Sequence, residues 1–322
     1  MKYTILLFFA SALLQAQTIT QVPIPSGSTA GNVCAGSPVP NQEWFVAENE
    51  IGWIDTSLEA IGGEIRVPAP TGGSVTTGLV GCDFGIDGKL YFANQKTATL
   101  YAYDPISLTF TWQSIPAPNS GVAGLVWNKN GDGKLYIMIP PANAIQIWNP
   151  TTSTWDAALS TGGNFPHGPT ACPDDNVWFA LTFSGQFGYV TPSRGKVLFS
   201  VPQGTGSNPF DVACSIEDNN AYVTEMNGNV IAWVDRGALP PSYTIHYKAL
   251  PSSTPKGMTI NNGFVYIACS ATNQLCVMPL GGGDVHRYDV PITNTQPNKV
   301  NIGPDGNVWF SEHNYAAMAV FH

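Results

Sequence analysis

The chain has 322 residues, with 13 Lys and Arg against 22 Asp and Glu and a formal net charge of −9. It therefore lacks the basic stripe that neutralising phosphates requires, which excludes nucleic acid as an expected partner. Only 11% of residues are charged, while 33 glycines and 26 prolines favour short strands joined by tight turns over long helices.

In chain order, the lone Lys2, the apolar run Ile5–Leu14 and the small Ala16 predict a signal peptide over residues 1–16, too short for a membrane span. No second long apolar stretch follows. Residues 17–322 are thus expected to form a soluble protein, secreted or held in the secretory-pathway lumen, with no membrane partner. Next comes Thr20-Gln21-Val22-Pro23-Ile24-Pro25, a strand-like segment over about 18–25 with no repeat of its own.

From there an aromatic-led strand recurs seven times: Glu43-Trp44-Phe45-Val46, Leu90-Tyr91-Phe92-Ala93, Leu135-Tyr136-Ile137, Val177-Trp178-Phe179-Ala180, Ala221-Tyr222-Val223-Thr224, Val265-Tyr266-Ile267-Ala268 and Val308-Trp309-Phe310-Ser311. The anchors lie 47, 45, 42, 44, 44 and 43 residues apart. That period is the length of one four-stranded propeller blade. It predicts an all-β, seven-bladed β-propeller with blades at about 26–70, 71–118, 119–161, 162–203, 204–251, 252–291 and 292–322.

The last repeat shows the unit: strand a at Lys299–Ile302, the turn Gly303-Pro304-Asp305-Gly306, strand b at Asn307–Ser311 and strand c at Ala316–Phe321. In earlier repeats strand d ends on a proline, as in Phe199-Ser200-Val201-Pro202, which an edge strand tolerates. The seventh repeat stops after strand c at His322. Its fourth strand is expected to be the N-terminal segment, giving a 3+1 closure that removes exposed edges.

Six cysteines in an exported chain read as disulfides. Cys34 and Cys82 hold similar strand positions in neighbouring repeats, as do Cys172 and Cys214, and Cys269 and Cys276 face each other across one hairpin. Those three pairings are expected. No Cys-x-x-Cys pair or His-rich partner suggests a metal, and no metal or other cofactor is expected. The run Asn128-Lys129-Asn130-Gly131-Asp132-Gly133 imitates the start of a calcium loop, but its twelfth position is Ile139 and it already serves as an a–b turn.

The segment Asn301-Ile302-Gly303-Pro304-Asp305-Gly306-Asn307-Val308-Trp309-Phe310-Ser311-Glu312 resembles the blade signature of the streptogramin B (virginiamycin B) lyases, and Pro166-His167-Gly168 resembles a blade-opening element of theirs. The resemblance implies a magnesium-assisted site over the channel that opens a cyclic depsipeptide by elimination. It would use a His opening the sixth blade, a Glu-x-His opening the seventh and a Glu ending the seventh strand b. Only the last is present, as Glu312. Lys256 stands at the first position and Gln296-Pro297-Asn298 at the second, which argues against a metal and that lyase reaction here.

Propeller ligands are held where the d–a and b–c loops gather around the channel mouth. Three residues are the expected catalytic set: Lys256 to hold a developing oxyanion, Glu312 to move a proton, and His167 as acid or base. An ion pair between Lys256 and Glu312 across the mouth is the structural alternative. His313 is a further proton-transfer candidate. Asn298, Gln296, Phe210, Glu225, Asn94, Phe183 and Tyr315 are expected to bind a small, largely apolar molecule, the partner foreseen at the mouth.

Three functions fit. One is an enzyme working by metal-independent elimination or cyclisation, by class analogy with secreted fungal hetero-Diels–Alderase propellers, in which dehydration precedes cycloaddition in secondary-metabolite biosynthesis. The second is a lectin-like or scaffold propeller without chemistry. The third is a lactone hydrolase.

Overall fold

The structure, a computed structural model, describes residues 17–75, 77–116 and 121–322, so the signal segment at 1–16 lies outside the described residues. Seven antiparallel sheets follow one another along the chain. In six of them the strands run in chain order from the channel outward. The seventh joins Pro297–Ile302, Val308–Glu312 and Ala317–Phe321 to the N-terminal Ile19–Pro23, giving the seven-bladed propeller with 3+1 closure. Ile19 lies opposite Phe321 and Pro23 opposite Ala317. Among the described residues the helical pieces are two short 3-10 turns, Pro140–Ala142 and Thr205–Ser207.

The repeat has two polar devices that its sequence period hides. First, the aspartate of the a–b turn reaches the aromatic anchor four residues on. Asp87 accepts from the Tyr91 hydroxyl (2.9 Å), Asp132 from Tyr136 (3.0 Å), Asp174 from Trp178 Nε1 (3.1 Å), Asp305 from Trp309 Nε1 (3.1 Å), and Asp218 from Tyr222. A large ring can be buried only if its polar tip is satisfied, and the turn supplies the partner. The segment at Asn128–Gly133 is such a turn.

Second, the residue just past strand d donates its backbone N–H to the b–c turn of its own blade. Val67 donates to Asn49, Ile115 to Ala98, Thr161 to Asn143, Val201 to Gly185, Leu250 to Asn229 and Val290 to Asn273, at 2.7–3.1 Å. Ile24 does the same to Ala316 at 2.8 Å, so the N-terminal strand occupies the place of an ordinary fourth strand. Each donor is buried, and in six blades a proline follows, at a position where no donor is needed. The third blade departs from the pattern. Its outer strand is two fragments, Thr154–Trp155 and Leu159–Ser160, which pair with opposite ends of strand c on either side of Asp156.

Hydrophobic clusters fill the space between neighbouring sheets, for example Trp44 and Val46 of blade 1 against Phe84, Phe92 and Tyr103 of blade 2. The three disulfides pair as expected. Cys34–Cys82 and Cys172–Cys214 staple adjacent innermost strands, while Cys269–Cys276 joins strands b and c of blade 6 on a diagonal, since Cys269 lies opposite Gln274. Closing 48 residues, the first bridge restricts the unfolded chain most. A Cys34→Ser/Cys82→Ser variant is expected to lose about 4 kcal/mol by the loop-entropy relation. Urea unfolding measures it, and an unchanged midpoint would refute the assignment.

Candidate functional site at the channel mouth

The innermost strands position the site. Counting three residues back from the residue opposite each blade's aromatic anchor gives Gly31, Val80, Ala123, His167, Phe210, Lys256 and Asn298. All except Lys256 line a cavity of about 500 Å³ at the mouth. Bulges just after this position in most blades turn the strand there. The cavity has two sides. Leu79, Val80, Val122, Ala123, Pro140, Pro141 and Phe165 make an apolar wall, and His167, Asn298, Lys299, His313, Glu48 and Thr29 make a polar one.

One residue further along, the ring reads Asn32, Gly81, Gly124, Gly168, Asp211, Gly257 and Lys299. The inner strands crowd here: a Cβ at Gly168 would run into the Phe210 carbonyl, and one at Gly257 into that of Asn298. Blades 5 and 7 instead carry opposite charges. Lys299 Nζ donates to Asp211 Oδ1 at 2.6 Å, bridging two blades that are not neighbours, and Asp211 Oδ2 accepts from the Met258 N–H at 3.2 Å. Lys299 lines both the mouth cavity and a deeper channel space of about 270 Å³, so the pair sits at their junction. Its ammonium also lies 5.6 Å from the Phe210 ring centroid.

His167 packs on Phe210 with ring centroids 4.0 Å apart, and its Nδ1 lies 2.8 Å from the Phe210 carbonyl oxygen. Only a donor fits there, which places the proton on Nδ1 and leaves Nε2 as an acceptor. Burial and then the nearby Lys299 charge push its pKa down to about 3, so the ring stays neutral. His313 is pushed down by burial and by Lys256, with Glu48 opposing, and burial pushes Lys256 down as well.

The expected residues separate into groups. His167, Phe210 and Asn298 line the cavity, and Asn298 Nδ2 donates to the Gly31 carbonyl at 3.0 Å. Phe183 is 55% exposed and reaches the cavity only through Phe165, 4.8 Å away between ring centroids. Lys256, whose charge acts on His313, does not line the cavity, and neither do Tyr315 and Gln296.

The strand-b ends are corrected. Asn94, Glu225 and Glu312 are buried beneath the b–c loops and do not line the cavity. Asn94 Oδ1 caps the Lys96 and Thr97 N–H groups. Glu312 accepts two hydrogen bonds from Gln21 Nε2 of the closing strand, at 2.7 and 2.8 Å, so the Lys256–Glu312 ion pair is absent. The second residue of an inner strand can face the channel, whereas the end of strand b is roofed by its own turn. Lys299 and Asp211, the charges that do meet, were missed. The signal was there, as the two charged residues in a ring otherwise made mostly of glycine.

A divalent cation does not fit these residues. No three His, Cys, Asp or Glu side chains cluster among the described residues. Glu312 is spent on Gln21, and Lys256 brings a positive charge to the place where a ligand would be needed. No step is therefore routed through a metal.

No protein-family model matches the chain, and no curated protein matches its sequence. Solved structures do match. A streptogramin B lyase structure superposes with a TM-score of 0.81 at 17% identity, covering 95% of this chain and 97% of that one. A catalytically inactive virginiamycin B lyase from Staphylococcus aureus with quinupristin gives 0.80 at 16%, covering 95% and 99%. Kuenenia stuttgartiensis hydrazine synthase gives 0.74 at 13%, covering 92% and 96%. At such identities the likeness is one of architecture, which hosts unrelated chemistries. In fold, the chain is similar to the streptogramin B lyases, a seven-bladed propeller closed by its own N-terminal strand.

Proposed function

We propose that this protein is a secreted, lyase-like propeller enzyme whose mouth cavity binds a small, largely apolar natural product and promotes elimination or cyclisation without a metal. The observation that carries this is the two-sided cavity: an apolar wall from blades 2–4 faces His167, Asn298 and Lys299. A volume of about 500 Å³ suits one such molecule or two short reactants. Three disulfides support an oxidising compartment, and no helix among the described residues is long and apolar enough to cross a membrane.

A neutral His167 is a weak base but a well-placed acceptor for a ligand O–H. Cycloaddition asks least of such a site, because holding two partners in an apolar space supplies most of the effect. In the hetero-Diels–Alder version, an ortho-hydroxybenzyl alcohol loses its benzylic hydroxyl and the phenolic proton as water. The resulting quinone methide then forms one C–C and one C–O bond to an alkene. Lys256, near the rim, would steer an electron-rich oxygen inward. Glu312 acts through the fold rather than on the ligand.

The test uses 2-hydroxybenzyl alcohol and an apolar cyclic alkene, with the chroman product resolved by chiral chromatography. The protein is expected to give enantioenriched product, and His167→Ala to lower its rate by at least about tenfold, somewhat below the usual scale for a proton-handling group. Racemic product at the uncatalysed rate would remove the cyclisation reading. Saccharide binding at the mouth in its place would favour a lectin-like propeller.

A further inference from the structure

We infer that the ligand held at the mouth carries a hydroxyl and a carbonyl-type oxygen on one compact apolar body, the hydroxyl donating to His167 Nε2 and the second oxygen accepting from Lys299 Nζ. This rests on the mouth being the ligand site, and it specifies the chemistry that site selects.

The acceptor is fixed by the backbone. Because His167 Nδ1 is committed to the Phe210 carbonyl at 2.8 Å, Nε2 is the ring nitrogen left for a ligand, and in the neutral ring it can only accept. Asn298 uses one of its two amide N–H groups on the Gly31 carbonyl at 3.0 Å, and its side-chain oxygen is a second acceptor. A ligand without an O–H or N–H would leave both acceptors desolvated and unpaired, which is costly.

The donor is fixed by the ion pair. An ammonium has three N–H groups; one of Lys299's points at Asp211 Oδ1 at 2.6 Å, and among the described residues no second acceptor engages Nζ. Asp211 is itself tied to the Met258 N–H, so the cation is held at the cavity floor rather than swinging freely. His167 and Lys299 approach the same Phe210 ring, at 4.0 Å between centroids and at 5.6 Å from Nζ to centroid. One acceptor and one donor therefore lie near each other on the polar wall, and the opposite wall is mainly hydrocarbon, with Thr77 and Gln95 as its polar side chains. A partly negative carbonyl or enolate oxygen is what an ammonium already paired with a carboxylate selects; a full second anion would compete with Asp211.

The experiment measures binding alone, by NMR titration of the 17–322 chain with three matched fragments. These are 3-hydroxyacetophenone, 3-methoxyacetophenone, which lacks the donor, and 3-ethylphenol, which lacks the carbonyl. The first is expected to bind about fivefold tighter than the methyl ether, and about tenfold tighter than the phenol because that contact is charge-assisted. His167→Phe should abolish the first preference and leave the second. Lys299→Met/Asp211→Leu, which removes the pair without stranding either charge, should abolish the second and leave the first, with the far-ultraviolet spectrum unchanged.

Equal binding of all three fragments to the native chain, or preferences that survive both variants, would overturn the inference. Fragment preferences as expected with no chroman formation would retain it and reject the cyclisation reading.

Discussion

Deleting residues 17–25 is expected to abolish cooperative unfolding and drive the chain into aggregates. This segment supplies the fourth strand of blade 7 in a five-residue register with Ala317–Phe321. It buries Val22 and Ile24, each 3% exposed, and Gln21 holds the Glu312 carboxylate with two hydrogen bonds. Two apolar side chains contribute on the order of 2 kcal/mol each, and an orphaned buried carboxylate costs several more, so the sum approaches the whole stability of a typical domain. The exposed edge would be Ala317–Phe321, five residues without a charge, which is a template for pairing with other chains. Adding a synthetic peptide spanning residues 17–26 should restore a cooperative urea transition. A truncated chain that unfolds at the native midpoint would disprove closure by this strand.

The second large effect concerns pH. Glu225 and Glu312 end strand b in blades 5 and 7, both are 0% exposed, and burial raises each pKa from near 4.5 to about 7. Gln21 and Thr295 offset part of the rise at Glu312. At Glu225 the adjacent Ser207 offsets part of the rise. A carboxyl whose folded pKa is raised binds more protons folded than unfolded, so its stabilisation is complete below about pH 4.5 and is lost as pH rises to about 7.

Each group is expected to remove about 3 kcal/mol across that window. Glu225→Gln/Glu312→Gln, which mimics both protonated carboxyls, should flatten the loss, and the two sites share no hydrogen-bond partner, so their effects are expected to add. Urea unfolding between pH 4.5 and 8 measures the slopes. If the double variant keeps the native slope, the two carboxyls do not titrate as described.

Much of the fold was legible because blade geometry repeats. The spacing of Trp44, Tyr91, Tyr136, Trp178, Tyr222, Tyr266 and Trp309 announced the blades, and the unpaired Thr20–Pro25 segment announced its own partner. The cysteines followed from their places in the repeat. The split outer strand of blade 3 was not foreseen; the Asp156 N–H still donates to Ile147 at 2.9 Å, but its carbonyl accepts from Gln146 Nε2 at 2.6 Å, a side-chain contact that no period encodes, and the ladder breaks there.

The site was legible in part. Pro166-His167-Gly168 and Phe210 lie at a strand position that the repeat numbers directly, and both reach the cavity. Lys256 stands at the position whose six counterparts line the cavity and yet does not reach it, whereas Lys299, one step further along, does; no period along the chain separates the two. Glu312 looked catalytic from its place after Ser311, but its direction depends on Gln21, 291 residues away.

The sequence by itself determined the number of blades, the closing strand, the disulfide partners and the ring of residues at the inner strands, because all of these follow from a period. Only the tertiary structure decided which charges meet: Lys299 with Asp211 across the channel, Glu312 with the closing strand, and His167 with the Phe210 carbonyl. Two of those pairings join residues from different blades and the third joins the two ends of the chain within blade 7, and these distances are set when the ring closes, not by spacing along the chain.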